Sequence, residues 1–441
     1  MTFTPSTLLT ITLLLASCQS YQPRPLFAEA VSTDFSERSL NDPGLQTFLT
    51  EHQAGQGAWN LDRLSLVATY YHPDVALARA EADEAAAAIQ TARQRPNPSL
   101  TVDTQFASNL TGLTPWFAAQ SLAIPIETAS KRSRRTEQAL ALAEAARWRV
   151  SSRAWMARSR VRVAMLELYM ARENIRLLEI EQKLHDEAIQ KLTAQMEAGD
   201  GSPFELTQAR LSLNRTRLTL QDAQRLAATG EAKLAAAVGM PLRAIQGATL
   251  NFSSFRQLPN VRLNDIRRHA LTRRADLLAL LSDYAAAESA LHLEIARQYP
   301  DLRISPGYDY NQGQNRWQLG LNLDLPLNRN QGPIAQAEAR RKTAEVRFLA
   351  QQSTIQGELD LALASYQAAR AKAATAATLA QEAAAGAKTT QRAVEAGDLS
   401  PLEFTRRNLE VSTANVALMA ATLEAQTAAG ALEDAMQSPL R

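Results

Sequence analysis

The chain has 441 residues, a formal net charge of +2 and 6% aromatic residues. So balanced a charge offers no basic field for nucleic acid, and so few aromatics suit closely packed, alanine-rich helices better than one large globular core. No apolar run reaches the ~18 residues that a membrane-spanning helix needs.

In chain order, a short apolar run from Leu8 to Ala16 ends in Leu15-Ala16-Ser17-Cys18. It is too short to span a bilayer and fits the apolar region of a signal peptide. The tetrapeptide resembles the cleavage box of a bacterial lipoprotein. That resemblance implies a signal at 1–17, lipidation of Cys18 and, with Gln19 next, sorting to the outer membrane. Cys18 is the only cysteine, so no disulfide forms within the chain. Residues 18–60, rich in Pro, Ser, Gly and Gln, read as an extended periplasmic tether.

Helical pattern then runs from Leu61 to about Arg95, with a break at His72-Pro73-Asp74, and stops at Pro96-Asn97-Pro98. Two strand-like segments follow at 99–108 and 115–126. The first alternates Leu100, Val102, Thr104 and Phe106 with polar residues. From Thr128 to Ala198 there is neither Pro nor Gly. As one helix this stretch is roughly 105 Å long, more than a compact domain holds. After a reversal, Leu206, Leu213, Leu220, Ala227 and Leu234 recur every seven residues, and Ala209, Thr216, Ala223 and Gly230 lie three residues after the first four. Large knobs beside small partners at that period predict a left-handed coiled coil.

The second half repeats the plan. Helix is expected from Leu263 to Gln298, strands across 300–326, and a long helix from about Ile334 to Ala396. A last helix carries Phe404, Val411, Leu418, Ala425 and Leu432 at an offset of 198 from the first seven-residue run. The reversals themselves match. Residues 197–205 read Glu-Ala-Gly-Asp-Gly-Ser-Pro-Phe-Glu and 395–403 read Glu-Ala-Gly-Asp-Leu-Ser-Pro-Leu-Glu. Gly199 and Gly397 suit a left-handed helix end. Ser202 and Ser400 suit the N-cap, Pro203 and Pro401 the first helical position, and Glu205 and Glu403 the capping-box position. The expected organisation is a repeat over 61–260 and a second over 261–441, each helix, β-hairpin, long helix, turn, helix: an α+β chain duplicated in tandem.

Alternating strands of this length give one apolar and one polar face, as a membrane barrel requires, although a half-buried soluble sheet gives the same pattern. Four strands cannot close a barrel, so the chain must oligomerise: two copies give eight strands and a filled lumen, three give twelve and a bore.

Together, these elements resemble the TolC-like family of outer-membrane efflux channels. Leu61 to Pro98, the Ile124-Pro125-Ile126-Glu127 strand end, the basic run Lys131-Arg132-Ser133-Arg134-Arg135 and both Glu-Ala-Gly-Asp turns carry the resemblance. It implies a homotrimer with a twelve-stranded barrel in the outer membrane, continued by a coiled-coil α-helical periplasmic tunnel. It also implies a periplasmic adaptor and an inner-membrane pump, a proton-driven cation or drug exporter, as partners. The Pro-Ile-Glu and Lys-Arg run looks most like the branch serving metal-cation exporters. Where that branch carries a glycine pair, Ala129-Ser130 stands here.

No constellation suggests an enzyme, a cofactor or a bound metal: the five histidines lack ligand spacing, and no nucleophile elbow occurs. Functional expectations therefore fall on the ends. Gly199, Asp200, Ser202, Pro203, Glu205, Gly397, Asp398, Ser400, Pro401 and Glu403 would form the periplasmic tip and the adaptor contact. Arg406 and Arg407, unique to the second copy, are candidate gate residues through an ion pair with Glu205 of a neighbouring hairpin. Lys131, Arg132, Arg134 and Arg135 read either as a solvated helix start or as a rim against lipid phosphates. Two rival readings stand: a drug or polypeptide duct of the same family, and a non-conducting structural coiled-coil lipoprotein.

Overall fold

A computed structural model describes residues 20–55, 57–106, 108, 115–259, 263–311 and 313–440. Cys18 and the expected turn at 109–114 lie outside the described residues. The elements are α1 (Ala28–Glu37), α2 (Pro43–Glu51), α3 (Leu61–Tyr71), α4 (Pro73–Arg93), β1 (Ser99–Phe106), β2 (Trp116–Ile126), α5 (Lys131–Glu197) and α6 (Pro203–Val238). Then come α7 (Leu242–Gln246), α8 (Leu263–Arg273), α9 (Ala275–Ala296), β3 (Leu302–Asn311), β4 (Gln314–Leu323), α10 (Gln331–Glu395) and α11 (Pro401–Met436).

Both repeats share this order, and one sheet joins them. The strands run β1-β2-β3-β4, all antiparallel. Although α5 to α9 intervene in sequence, β2 pairs with β3, from Phe117 with Asn311 to Ile126 with Leu302. Below the sheet, α5 is the central helix. It packs on α4 and α6 to one side and on α9 and α11 to the other, and α10 packs outside α9 and α11. The chain is thus a slab with two open edges: β1 with α4 and α6 along one, β4 with α10 along the other.

Each repeat has its own apolar core at the waist. Leu64, Val67, Met165, Leu168 and Leu234 meet in the first; Ile266, Leu277, Ile355, Tyr366 and Leu432 meet in the second. The seven-residue seam of α6 is real: Leu206, Leu213, Thr216, Ala223, Gly230 and Leu234 are buried. On α11 the expected seam holds toward the waist, where Ala425 and Leu432 are buried, and shifts toward the tip. Phe404, Val411 and Leu418 are only half-buried, whereas Leu402, Thr405, Ser412 and Ala421 are buried. The reason is that α11 has two helical neighbours, α10 and α5, and cannot give its whole apolar stripe to one.

Residues 28–51 correct the expectation of an extended tether, since α1 and α2 lie within them. Asp42 accepts from the Leu45 N–H and Pro43 opens α2, which lays Leu45 and Leu49 into the first core. A buried ionic joint locks the halves together. Arg162 meets Glu433 at 3.2 Å and donates to the Gln426 carbonyl at 2.9 Å, and Arg158 meets Glu433 at 3.0 Å. Asp434 accepts from Trp155 and Ser159, and burial pushes its carboxyl above the usual range.

Candidate functional site

The sheet has two chemically distinct faces. Because paired residues of an antiparallel ladder share a face, the register places Leu100, Leu122, Ile124, Ile126, Leu302, Ile304, Leu319, Leu321 and Leu323 together. Leu319 is 76% and Leu321 71% exposed. Among the described residues nothing covers this band, and strands of 8 to 11 residues match the length of tilted membrane strands. At the hairpin-turn end of the same face, Phe106 packs on Trp116 with ring centroids 5.0 Å apart, and Tyr308 on Trp317 at 5.1 Å. Aromatic pairs of this kind suit the membrane–water boundary of a barrel. Their pairing is visible only once the register is known, with Phe106 opposite Trp116 and Tyr308 opposite Trp317. The opposite face carries Asp103, Ser121, Arg303, Asp309 and Arg316, with Arg316 and Asp309 3.9 Å apart.

Where strands pass into the long helices, Ala129 and Ser130 adopt φ of +52° and +59°, and Arg329 and Asn330 do the same in the second repeat at +48° and +54°. These are left-handed positions that glycine occupies without strain. The basic run that follows is divided. Lys131 is buried, meets Asp301 at 2.7 Å and donates to the Tyr299 carbonyl. Arg135 meets Glu127 at 2.7 Å and donates to the carbonyls of Ala92 and Gln94. Both therefore knit the strand–helix junction instead of facing lipid. Arg132 is exposed, and Arg134 pairs with Glu137 at 2.9 Å.

At the far end, both reversals have the expected geometry. Gly199 and Gly397 stand at φ +88° and +86°. Asp200 N–H donates to Gln195 and Asp398 N–H to Ala393, each closing a left-handed helix cap. Ser400 caps α11 by accepting from the Glu403 N–H at 3.3 Å. Ser202 makes no such bond, and Glu205 turns elsewhere: Arg406 donates to it at 3.0 Å. A charged donor from the other hairpin outbids the neutral N–H that a capping box supplies. The pair joins two hairpins of one chain, and both side chains are about half exposed. Arg407 instead pairs with Glu410 on its own helix at 2.7 Å. Asp200, Asp398, Pro203 and Pro401 lie exposed at the tip.

Two contacts that sequence reasoning missed hold the hairpins together. Lys191 donates to Thr405 Oγ1 at 2.6 Å and to the Pro401 carbonyl, and Leu192, Leu206 and Leu402 form a small apolar core. Farther up, Glu181 of α5 accepts from Thr216 of α6 at 2.9 Å and from Ser412 of α11 at 3.4 Å. The His185 imidazole 3.8 Å away, together with these hydroxyls, holds the Glu181 carboxyl below its usual range. On its outward side α6 presents Phe204, Leu211 and Leu218, exposed by 76%, 50% and 65%. That second seam was readable at the same seven-residue spacing, two positions before the first.

Comparison with known proteins names the class that a membrane sheet on a long helical stalk defines. The family model described as outer membrane efflux protein matches residues 68–240 and 266–437, and the chain belongs to that family. It is an outer-membrane channel, the exit duct of a tripartite efflux pump, and extends into the periplasm. Among curated proteins, it is 24% identical over 305 residues to the cobalt-zinc-cadmium resistance protein CzcC of Cupriavidus metallidurans, covering 68% of this chain and 71% of that protein. Among solved structures, CusC superposes with a TM-score of 0.68 at 16% identity, covering 87% of this chain and 95% of that one. VceC of Vibrio cholerae gives 0.67 at 18% identity, covering 86% and 97%. At such identities the structural likeness speaks to the fold.

Proposed function

We propose that three copies close edge to edge into a twelve-stranded barrel over a periplasmic helical tunnel that carries metal cations outward. The observation that supports the ring is the pair of open sheet edges, β1 and β4, on a strand face that none of the described residues covers. Edges left unpaired in a membrane are costly, and closure is what removes them. The two edges differ, so each meets the other's kind in the next copy, and such heterologous contacts close a ring. Native mass spectrometry of the detergent-extracted protein tests this. Three copies are expected, and a stable monomer with nothing larger overturns it.

Metal cations as cargo rest on the likeness to CzcC and on the exposed tip carboxylates Glu197, Asp200, Glu395 and Asp398, which six-fold repetition in a trimer would gather into a cation-concentrating rim. Deleting the gene should sensitise cells to cobalt, zinc or cadmium. Sensitivity to drugs alone would move the assignment to a drug duct. The tips would meet the periplasmic adaptor and, through it, the inner-membrane pump. In this reading the protein is a transport duct and not a catalyst. Cys18 would anchor the chain by lipid, and acyl labelling that survives Cys18→Ser would refute that. Of the basic run, Arg132 and Arg134 remain the candidates for a membrane rim. Arg406 would act as a latch, its pair with Glu205 tying the two hairpins of each copy so that the six tips stay drawn together.

A further inference from the structure

The helix α1 buries none of its residues. Phe27, which precedes it, and Val31 and Phe35 recur at four-residue spacing on one side, exposed by 63%, 51% and 43%. Its charges are Glu29, Glu37 and Asp34, the last met by Arg38 at 3.5 Å, with no lysine or arginine inside the helix. Yet α1 is not loose. Arg38, which follows it, donates to the Gly239 carbonyl at 3.0 Å and to the Tyr71 carbonyl, and Arg243 donates to the Ser36 carbonyl. Gly239 ends α6, so α1 is fastened at the waist on the first-repeat edge.

The level can be measured along the long helices. His72, beside Tyr71, meets Arg160 at 3.1 Å, and Arg160 stands about 44 Å along α5 from its membrane end. On the second-repeat edge, Arg267 of α8 pairs with Asp360 of α10 at 2.7 Å. Asp360 likewise stands about 44 Å along α10. At that level α8 exposes the adjacent Arg267 and Arg268. A bilayer is not within reach of α1: α4, about 31 Å long, separates Tyr71 from the sheet, and α1 spans about 15 Å.

We propose that α1 is a strap between copies: its apolar stripe and acidic residues seat against the exposed Arg267 and Arg268 of α8 in the adjoining copy. This rests on the trimeric ring proposed above, in which the first-repeat edge of one copy faces the second-repeat edge of the next. Opposite charge sets the register of such a contact. Arginine supplies the apolar counterpart, since its stem covers aliphatic surface and its guanidinium stacks on phenylalanine. Arg38 already stands 5.2 Å from the Phe35 ring centroid.

The test uses full-length protein in the outer membrane. Two differently tagged chains are co-expressed, one carrying Val31→Cys and the other Arg268→Cys, and treated with a short bismaleimide, with chains lacking both substitutions as control. A cross-linked product bearing both tags is expected. In a preparation whose native mass shows three copies, absence of that product overturns the strap while leaving the ring intact. A preparation without three copies overturns both, and the native mass tells the two failures apart. As an independent readout, the combined Phe27→Ala, Val31→Ala and Phe35→Ala variant should fall apart into monomers at a lower denaturant concentration than wild type. An unchanged midpoint counts against the strap.

Discussion

Two helical glycines separate what a single methyl group does at this waist. Gly430 lies against the guanidinium of Arg162, and a Cβ there would collide with it. That guanidinium is committed to Glu433 and the Gln426 carbonyl, so Gly430→Ala must push a buried charge off its partner. Overpacking costs about 1–3 kcal/mol, and a broken buried pair about 3–5. Gly230 is different: a Cβ there would meet Leu168 at 3.4 Å, an ordinary contact, while alanine is the better helix former by about 1 kcal/mol. Gly430→Ala should therefore lower the denaturation midpoint and Gly230→Ala leave it unchanged or raise it. Equal effects from both would show that the Arg162 joint does not hold the repeats together.

At the scale of elements, the four strands divide their faces between lipid and water. An arginine facing the bilayer midplane costs about 2–4 kcal/mol, whereas one on a watery lumen costs little. Leu319→Arg, on the band of exposed leucines, should reduce the amount of protein recovered in outer-membrane fractions; Thr101→Arg, on the polar face, should not. Impaired recovery of both variants alike would mean that the faces are misassigned. The strands were legible in the sequence because a period of two survives whatever the neighbours are. The reversals were legible because Gly199 and Gly397 need a left-handed backbone and Pro203 and Pro401 open helices, both local demands. The helices α1 and α2 were not legible. Leu45 and Leu49 mean little until α3 lies beneath them, and the surrounding Pro, Ser and Gly suggested a tether. The pair of Glu205 with Arg406 was legible, because Arg406 and Arg407 break the match between the two copies; that it displaces Glu205 from its capping-box place was not. Lys131 read as a surface cation because Asp301, its counter-ion, belongs to the other repeat.

At the scale of the whole molecule, the duplicated chain is half-made by design. Its second seam of Phe204, Leu211 and Leu218, its open β1 and β4 edges and its uncovered apolar band all point outward, to the next copy or to lipid. The central claim is that closing these edges yields a duct whose periplasmic tip Arg406 helps hold shut. Single-channel recording in planar bilayers tests this most directly, with wild type beside Arg406→Ala and Arg407→Ala. The account predicts discrete conductance steps. Arg406→Ala should open more often than wild type at low salt, and high salt, which screens an exposed pair, should bring wild type toward the mutant. Arg407→Ala, whose partner is on its own helix, should behave like wild type. Absence of conductance from inserted trimers of every variant would contradict the duct and favour a solid coiled coil; steps identical in all three proteins at every salt concentration would contradict the latch.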